Sequence, residues 1–214
     1  MPSDAPGAGS TGGEALTAPQ IEAANGFVRV ILGGLRNDGG VHAETAVAVA
    51  ARLAGTSLLR SFDRRLDDME AGAALFSDQA DAETPALITS LHASLAALGL
   101  VVDATRLPPA VPAEHRPQLT LFQTQLMFDV PYRRTIKDCR LDQRQAAFAG
   151  AAATARIIGD CAPVLDPHVA VRIAVNGFVE GLKTVPIKVP GRDDDGELAS
   201  NASAAGKRPW YRFW

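Results

Sequence analysis

The sequence predicts an all-α protein, a single-domain helical bundle or array of five to six helices. Three observations support this prediction. Apolar residues recur at helical spacing in several segments, and helix-capping signals precede those segments. Alanine supplies much of the 47% apolar fraction, whereas aromatic residues make up only 6%. With 214 residues the chain is long enough to bury one sizeable core.

The first two helices are predicted at 18–35 and 41–62. Thr17 and Gln20 resemble a capping box at the start of the first helix, and the Asn-Asp-Gly-Gly run at 37–40 follows its end. The second helix is rich in alanine and glycine. Because small residues let a neighbouring backbone approach closely, we place this helix in the middle of the bundle.

A third helix is expected to begin at Thr84 and Pro85, which suit the N-cap and the first helical position. The residues before it, 63–83, are charged and irregular and indicate at most a short helix. Leucines at helical spacing form the apolar stripe of the third helix: Leu87, Leu91, Leu95 and Leu98.

Four prolines within 103–117 indicate a loop. The next segment, 118–128, fits either a helix or a strand, and we favour the helix because no partner strand is evident. Pro131 is expected to end it, since proline cannot donate the backbone hydrogen bond that a helix interior needs.

The last two helices are predicted at 143–160 and 167–183. Asp142 and Gln145 resemble a second capping pair, and the Asp-Pro pair at 166–167 is typical of a helix start. These elements divide the chain into three parts: a disordered N-terminal segment at 1–16, a helical domain at 17–189, and a polar linker with an aromatic and basic tail at 190–214.

Composition excludes several classes of function. The net charge of -3 gives no electrostatic case for nucleic acid or an anionic membrane as the main partner. No apolar stretch is long enough for a transmembrane segment, and the N-terminus lacks the features of a secretory signal. Cys139 and Cys161 lack the spacing of a zinc or redox motif. We therefore expect a cytoplasmic protein with reduced cysteines.

Two short motifs fail the test of context. Residues 7–12 match G-x-G-x-x-G, but no strand precedes them and no helix follows directly, so no dinucleotide site is predicted. His42 and Glu44 match half of a zinc-deaminase signature whose second half, P-C-x-x-C, is missing. A cap residue and a helix N-terminal carboxylate explain them more simply. The sequence therefore predicts neither a cofactor nor a metal.

Polar residues form one ridge along each of two predicted helices. The ridge of the last helix, 167–183, consists of His168, Arg172, Asn176 and Glu180, and that of the second helix, 41–62, consists of His42, Thr45, Arg52, Thr56 and Arg60. Either both ridges face water, or they face each other across a polar cleft, in which case Arg52 would pair with Glu180. His42 is then a possible acid–base. The candidate ligand-binding residues are His42, Glu44, Arg52, Arg172, Asn176 and Glu180.

The tail, residues 207–214, concentrates aromatic and basic side chains. Both tryptophans of the chain lie in it. Folding back onto the domain and docking on another protein chain are the main alternatives, because aromatic and arginine side chains dominate interfaces. A membrane surface or single-stranded nucleic acid fits less well. The candidate interaction residues are Trp210, Tyr211, Arg212, Phe213 and Trp214.

No motif assigns an activity, so two hypotheses of different classes follow. The first is an accessory or protein-interaction module whose tail docks on an unknown protein partner or mediates self-association. The second is a small-molecule-binding protein, or an enzyme, with a polar cleft between the helices at 41–62 and 167–183.

Overall fold

A computed structural model describes residues 15–62 and 66–187, and it confirms the all-α prediction. The disorder predicted for 1–16 lies outside the described residues except at 15 and 16. The predicted linker and tail at 190–214, with the candidate interaction residues, also lie outside them. Short 3-10 turns occupy Leu66–Asp68, Ala104–Arg106 and Ala113–His115. The described helices are α1 (Ala18–Leu35), α2 (Ala43–Arg60), α3 (Asp78–Ala97), α4 (Leu121–Asp138), α5 (Gln143–Cys161) and α6 (Pro167–Leu182).

The capping signals predicted at Thr17, Asp142 and Asp166 are present. The backbone N–H of Gln145 donates to Asp142 Oδ1 at 2.7 Å, and the Gln145 side chain accepts from the Asp142 N–H at 3.1 Å. Asp166 caps α6 by accepting from the His168 N–H at 2.7 Å. Each cap satisfies a donor that the first helical turn leaves unpaired, which is why these boundaries follow from local sequence.

The predicted start of the third helix is wrong. α3 begins at Asp78, where Ser77 Oγ accepts from the Ala80 N–H at 3.4 Å, and Pro85 lies inside the helix rather than at its start. The charged segment that we expected to be irregular thus supplies its first turns. Ala80 is fully buried, so packing favours the extra turns. Proline costs them one backbone hydrogen bond.

The predicted end of the fourth helix is also wrong, although the choice of helix over strand is confirmed. α4 continues through Pro131 to Asp138. Phe128 and Tyr132 flank the proline and are buried, and Tyr132 stacks on Phe27 of α1 with ring centroids 3.7 Å apart. Burying such side chains contributes roughly 1.5–3 kcal/mol each, which offsets a proline cost of about 3 kcal/mol.

α2 is the central helix, as predicted, and every residue from Thr45 to Leu59 is buried. It packs on α6 along one side and on α5 along another. Gly55 and Gly181 bring α2 and α6 together, because a Cβ atom on either glycine would collide with backbone atoms of the facing helix. The two backbones therefore lie in direct contact.

The remaining helices complete the core around α2. α1 packs on α5 and α4, and α3 packs on α5. Residues 72–75 pair with 183–185, with the Leu75 N–H donating to the Lys183 carbonyl at 2.8 Å and an isolated antiparallel bridge between Ala74 and Thr184. None of the described helices combines the length and the apolar character needed to cross a bilayer.

Candidate functional site

A cleft of about 260 Å³ opens where the loop between α3 and α4 crosses α2 and α6. The loop supplies one wall and the two helices supply the floor. Pockets that take drug-sized ligands usually measure about 300–1,000 Å³, so this cleft suits a smaller molecule. The polar and charged residues that line it are Arg52, Arg116, Asn176 and Glu180, and apolar contributions come from Val111 and Ile173.

Arg52 is the buried charge at the cleft, and only 7% of the residue is exposed. Its Nε donates to Glu180 Oε2 at 2.6 Å, and one terminal nitrogen donates to the Leu119 carbonyl at 2.6 Å. Glu180 differs, because 47% of its side chain is exposed. A buried guanidinium needs an anionic partner, and here that partner stands on the solvent side of the pair.

The glycines of α6 explain why its polar residues stand at the rim of the cleft. A Cβ atom on Gly177 would lie 2.8 Å from Ala51 Cβ, and one on Gly181 would meet the Arg52 carbonyl. This sector of α6 therefore presses directly on α2. Asn176 and Glu180 lie one turn apart beside that sector, so they share the edge of the helix contact.

Polar contacts fasten the α3–α4 loop over the two helices. The Arg172 Nε donates to the Pro108 carbonyl at 2.6 Å, and the Gln118 N–H donates to Thr45 Oγ1 at 2.9 Å. Arg52 makes a third attachment through Leu119. The loop is held by side chains from α2 and α6 at Pro108 and again at the adjacent residues Gln118 and Leu119, which gives the cleft a defined wall.

A small ionic cluster at the start of α2 forms a further attachment. His115 Nδ1 lies 2.9 Å from Glu44 Oε1, and His42 Nδ1 lies 3.4 Å from Glu44 Oε2. His42 is the N-cap of α2, and its side chain accepts from the Thr45 N–H at 3.3 Å. Its extended backbone lets it reach Glu44, although residues two apart within a helix point in different directions.

Burial would raise the pKa of Glu44, but other interactions outweigh it. The hydrogen bond from His115 and a backbone hydrogen bond of Glu44 itself hold the pKa of Glu44 below its ordinary value, and the electrostatic effect of the two neighbouring histidines acts in the same direction. The carboxylate is therefore ionised at neutral pH. Burial raises the pKa of the neighbouring Cys161 thiol, and the Glu44 charge adds to that effect.

The structure brings together three of the six candidate ligand-binding residues: Arg52, Asn176 and Glu180. The ion pair expected between Arg52 and Glu180 is present. Arg172 lies one turn before Asn176, but its guanidinium is directed to the loop carbonyl rather than into the cleft.

His42 and Glu44 do not line the cleft. His42 precedes Arg52 by ten residues, which is about 15 Å along the helix axis. The polar ridge of α6 is therefore divided. Its C-terminal part borders the cleft, and its N-terminal part is covered by the loop.

Sequence reasoning missed Arg116 and His115, which the loop brings to the cleft and to Glu44. A proline-rich loop has no periodicity from which the direction of a side chain can be read. The one available signal was compositional, because His115 and Arg116 stand together between prolines in an otherwise weakly basic segment.

A second buried ionic network joins α2 to α4. Asp129 is 1% exposed and accepts two hydrogen bonds from Arg60, at 2.5 and 3.1 Å, while Arg133 Nε lies 3.1 Å from it. Both carboxylate oxygens thus have cationic partners. This network satisfies its own charges and lies away from the cleft, so we interpret it as structural.

Among the described residues there is no group of three or more His, Cys, Asp or Glu side chains suited to hold a metal ion. Another concavity, of about 310 Å³, lies between the end of α3 and α5, where it is lined by Leu98, Leu100 and Arg156 among others. It contains no buried charge. The described residues that line the α2–α6 cleft include no histidine, cysteine or serine.

Comparison with known proteins gave no match, since neither a family model, nor a curated protein, nor a solved structure resembles this chain at a significant level. The chemistry of the cleft itself is therefore the basis for a functional proposal.

Proposed function

We propose that this protein binds a small anionic molecule in the cleft between α2, α6 and the α3–α4 loop. The observation that carries the proposal is the asymmetry of the Arg52–Glu180 pair. Arg52 is fixed and buried, whereas its carboxylate partner is half-exposed. An incoming carboxylate or phosphate group would replace Glu180 as the partner of a guanidinium that is already in position.

Two further groups at the cleft suit the same ligand. Arg116 adds a second guanidinium from the loop, and Asn176 offers an amide that can donate. Val111 and Ile173 provide apolar surface for the rest of the molecule. This distribution, with few polar groups on an apolar wall, is typical of small-molecule sites.

Thermal unfolding with inorganic phosphate and a series of small mono- and dicarboxylates tests the proposal. A ligand at one hundred times its dissociation constant stabilises the folded state by about 2.7 kcal/mol, which raises the Tm of a chain this long by several degrees. Arg116→Ala is expected to weaken binding about tenfold or more, since a charge-assisted hydrogen bond contributes roughly 1.5–3 kcal/mol.

Arg106→Ala is the matched control, because Arg106 is exposed in the same loop and does not line the cleft. Glu180→Gln gives the sharper result: removing the competing carboxylate should strengthen anion binding while it lowers the stability of the free protein. The proposal fails if no anion raises Tm, or if Arg106→Ala and Arg116→Ala reduce the shift equally.

A second candidate function rests on the sequence of the tail. We propose that residues 207–214 dock on another protein chain, because four aromatic side chains and three basic ones stand together there. The partner is a different protein or a second copy of this one. The cytoplasm is the proposed location, and the free thiols of Cys139 and Cys161 suit a reducing compartment.

Comparison of the full chain with a variant lacking 207–214 tests this second proposal. Light scattering over a range of concentrations reports self-association, and capture with each form as bait reports a different partner. Identical behaviour of the two forms in both measurements would exclude docking by the tail.

A further inference from the structure

The C-terminal segment leaves the described domain against α4. Ile187, the last described residue, is 7% exposed, and its N–H donates to Gln125 Oε1 at 3.1 Å. Gln125 is itself buried, and its amide nitrogen lies 3.4 Å from Thr56 Oγ1 of α2. The point from which the remaining 188–214 extend is therefore fixed beside the first half of α4.

Two large apolar side chains stand uncovered on α4 beside that point. Phe122 is 51% exposed and Leu126 is 53% exposed. They lie one turn apart and therefore form a single ridge. Around the helix axis, each of the two residues is less than a third of a turn from Gln125. We name Phe122 and Leu126 the α4 ridge.

Other exposed apolar residues in the described part of the chain lack this arrangement. Phe76, Val101 and Val164 are more exposed, but they lie in loops or turns and not one turn apart on a helix. Single apolar residues on a surface are ordinary. Two adjacent ones, beside the place where the chain leaves the domain, indicate a surface that another segment covers.

We propose that the tail of the same chain, residues 207–214, packs on the α4 ridge when no other partner is bound. Residues 188–206 connect Ile187 to the tail, and a linker of this length and polar composition has an average reach on the order of 25 Å. Phe122 and Leu126 lie within three residues of Gln125, the residue that binds the Ile187 N–H. A tethered segment at this range meets its site at an effective concentration on the order of millimolar.

The side chains of the tail and of the α4 ridge are chemically suited to pack on each other. Each aromatic ring of the tail can bury roughly 150–250 Å², and the α4 ridge offers an aromatic and an aliphatic side chain to receive them. The inference is independent of anion binding in the cleft. It extends the docking proposal in one respect: an external partner would have to compete with the α4 ridge for the tail.

Tryptophan fluorescence tests the proposal directly, because the two tryptophans of the chain, Trp210 and Trp214, are both in the tail. In dilute full-length protein, we expect emission to the blue of free tryptophan and protection from acrylamide quenching. The double substitution Phe122→Lys and Leu126→Lys should shift the emission to the red and remove the protection. Val164→Lys, an exposed apolar control away from α4, should leave both unchanged.

Circular dichroism checks that each variant keeps its helices, and the milder Leu126→Gln replaces the double variant if helical content falls. Solvent-like emission from the unaltered protein would overturn the proposal, as would blue-shifted emission that the ridge substitutions do not affect. Blue-shifted emission that disappears on dilution would also overturn it, since the tail would then be held by a second copy.

Discussion

At the scale of single residues, buried charges on α2 and α4 perform different tasks. Asp129 has both oxygens occupied by arginine nitrogens, so its network is complete within the domain. Arg52 is also buried, but one of its partners is a loop carbonyl and another is the half-exposed Glu180. A complete network stabilises a fold, whereas one that ends at solvent can exchange a partner for a ligand.

Glu44 provides a pH-dependent prediction at the same scale. Its pKa is lower in the folded protein than the ordinary 4.5, so the folded state favours the ionised form. The stability that this carboxylate contributes is present above about pH 4.5 and is lost as pH falls through the lower, folded value. The change Glu44→Gln should therefore reduce stability at pH 6 and flatten its loss between pH 5 and 3, as measured by urea unfolding.

Glu114→Gln is the control for this prediction, because Glu114 is an exposed carboxylate in the α3–α4 loop and is adjacent in sequence to His115. Its substitution should leave the pH profile close to that of the unaltered protein. Parallel profiles for the Glu44→Gln variant and the unaltered protein would contradict the role assigned to the contact between Glu44 and His115.

At the scale of elements, the contact between α2 and α6 positions the site. The two helices meet at glycines on both sides, so each backbone lies against the other. This close approach leaves no side chain between the helices at the contact. It also directs the neighbouring residues, Asn176 and Glu180, to the edge where the loop crosses.

The change Gly181→Ala tests this contact. The added methyl group would meet the Arg52 carbonyl, and forcing the helices apart should cost at least about 1–3 kcal/mol of stability. Gly33→Ala is the matched control, because a Cβ atom at Gly33 in α1 meets nothing within 4 Å. Helix propensity should make it stabilising by roughly 0.5–1 kcal/mol. Urea unfolding measures both, and equal effects would contradict the contact.

At the scale of the whole molecule, the described helices share one core around α2. Tyr132 lies fully inside it, stacked on Phe27 and beside Gly150 of α5. Its hydroxyl lies against Gly150, within the helices and not under a loop. Ionisation of Tyr132 should therefore require the cooperative loss of the core.

An alkaline titration tests this cooperativity. Burial raises the pKa of Tyr132 far above its ordinary value of 10.0, and the charge of Asp129 adds to the effect. An unfolded chain releases the proton above about pH 10 while the folded one retains it, so stability falls from that pH upward. In Tyr211→Phe, which leaves Tyr132 as the one tyrosine, tyrosinate absorbance should rise together with the loss of helical circular dichroism.

Ionisation of Tyr132 near its ordinary pKa with the helices intact would show that the core opens locally. A Tyr132→Phe variant provides the reference, because it removes the titrating group while keeping the ring stacked on Phe27. Its stability should decline less steeply above pH 10.

The sequence predicted the features that depend on neighbouring residues. The caps at Asp142 and Asp166 follow from side chains that reach donors within the next turn, so they are correct at both helices. The same local reasoning failed at Pro85 and Pro131. There, nearby side chains such as Ala80 and Tyr132 are buried against helices far away in the sequence, and that burial outweighs the local preference of proline. No short segment contains the identity of those distant partners.

By itself, the sequence determined the helical class, the central place of α2 and three of the four polar residues that line the candidate cleft. The periodic spacing of apolar residues and the run of small residues in α2 can be read from each segment alone, without knowledge of the helix that packs against it. Only the tertiary structure decided that the α3–α4 loop covers part of the α6 ridge and brings Arg116 to Arg52 and Glu180. The path of a loop depends on contacts between residues far apart in the chain, such as Pro108 with Arg172 and Leu119 with Arg52, and these form only once the helices have packed.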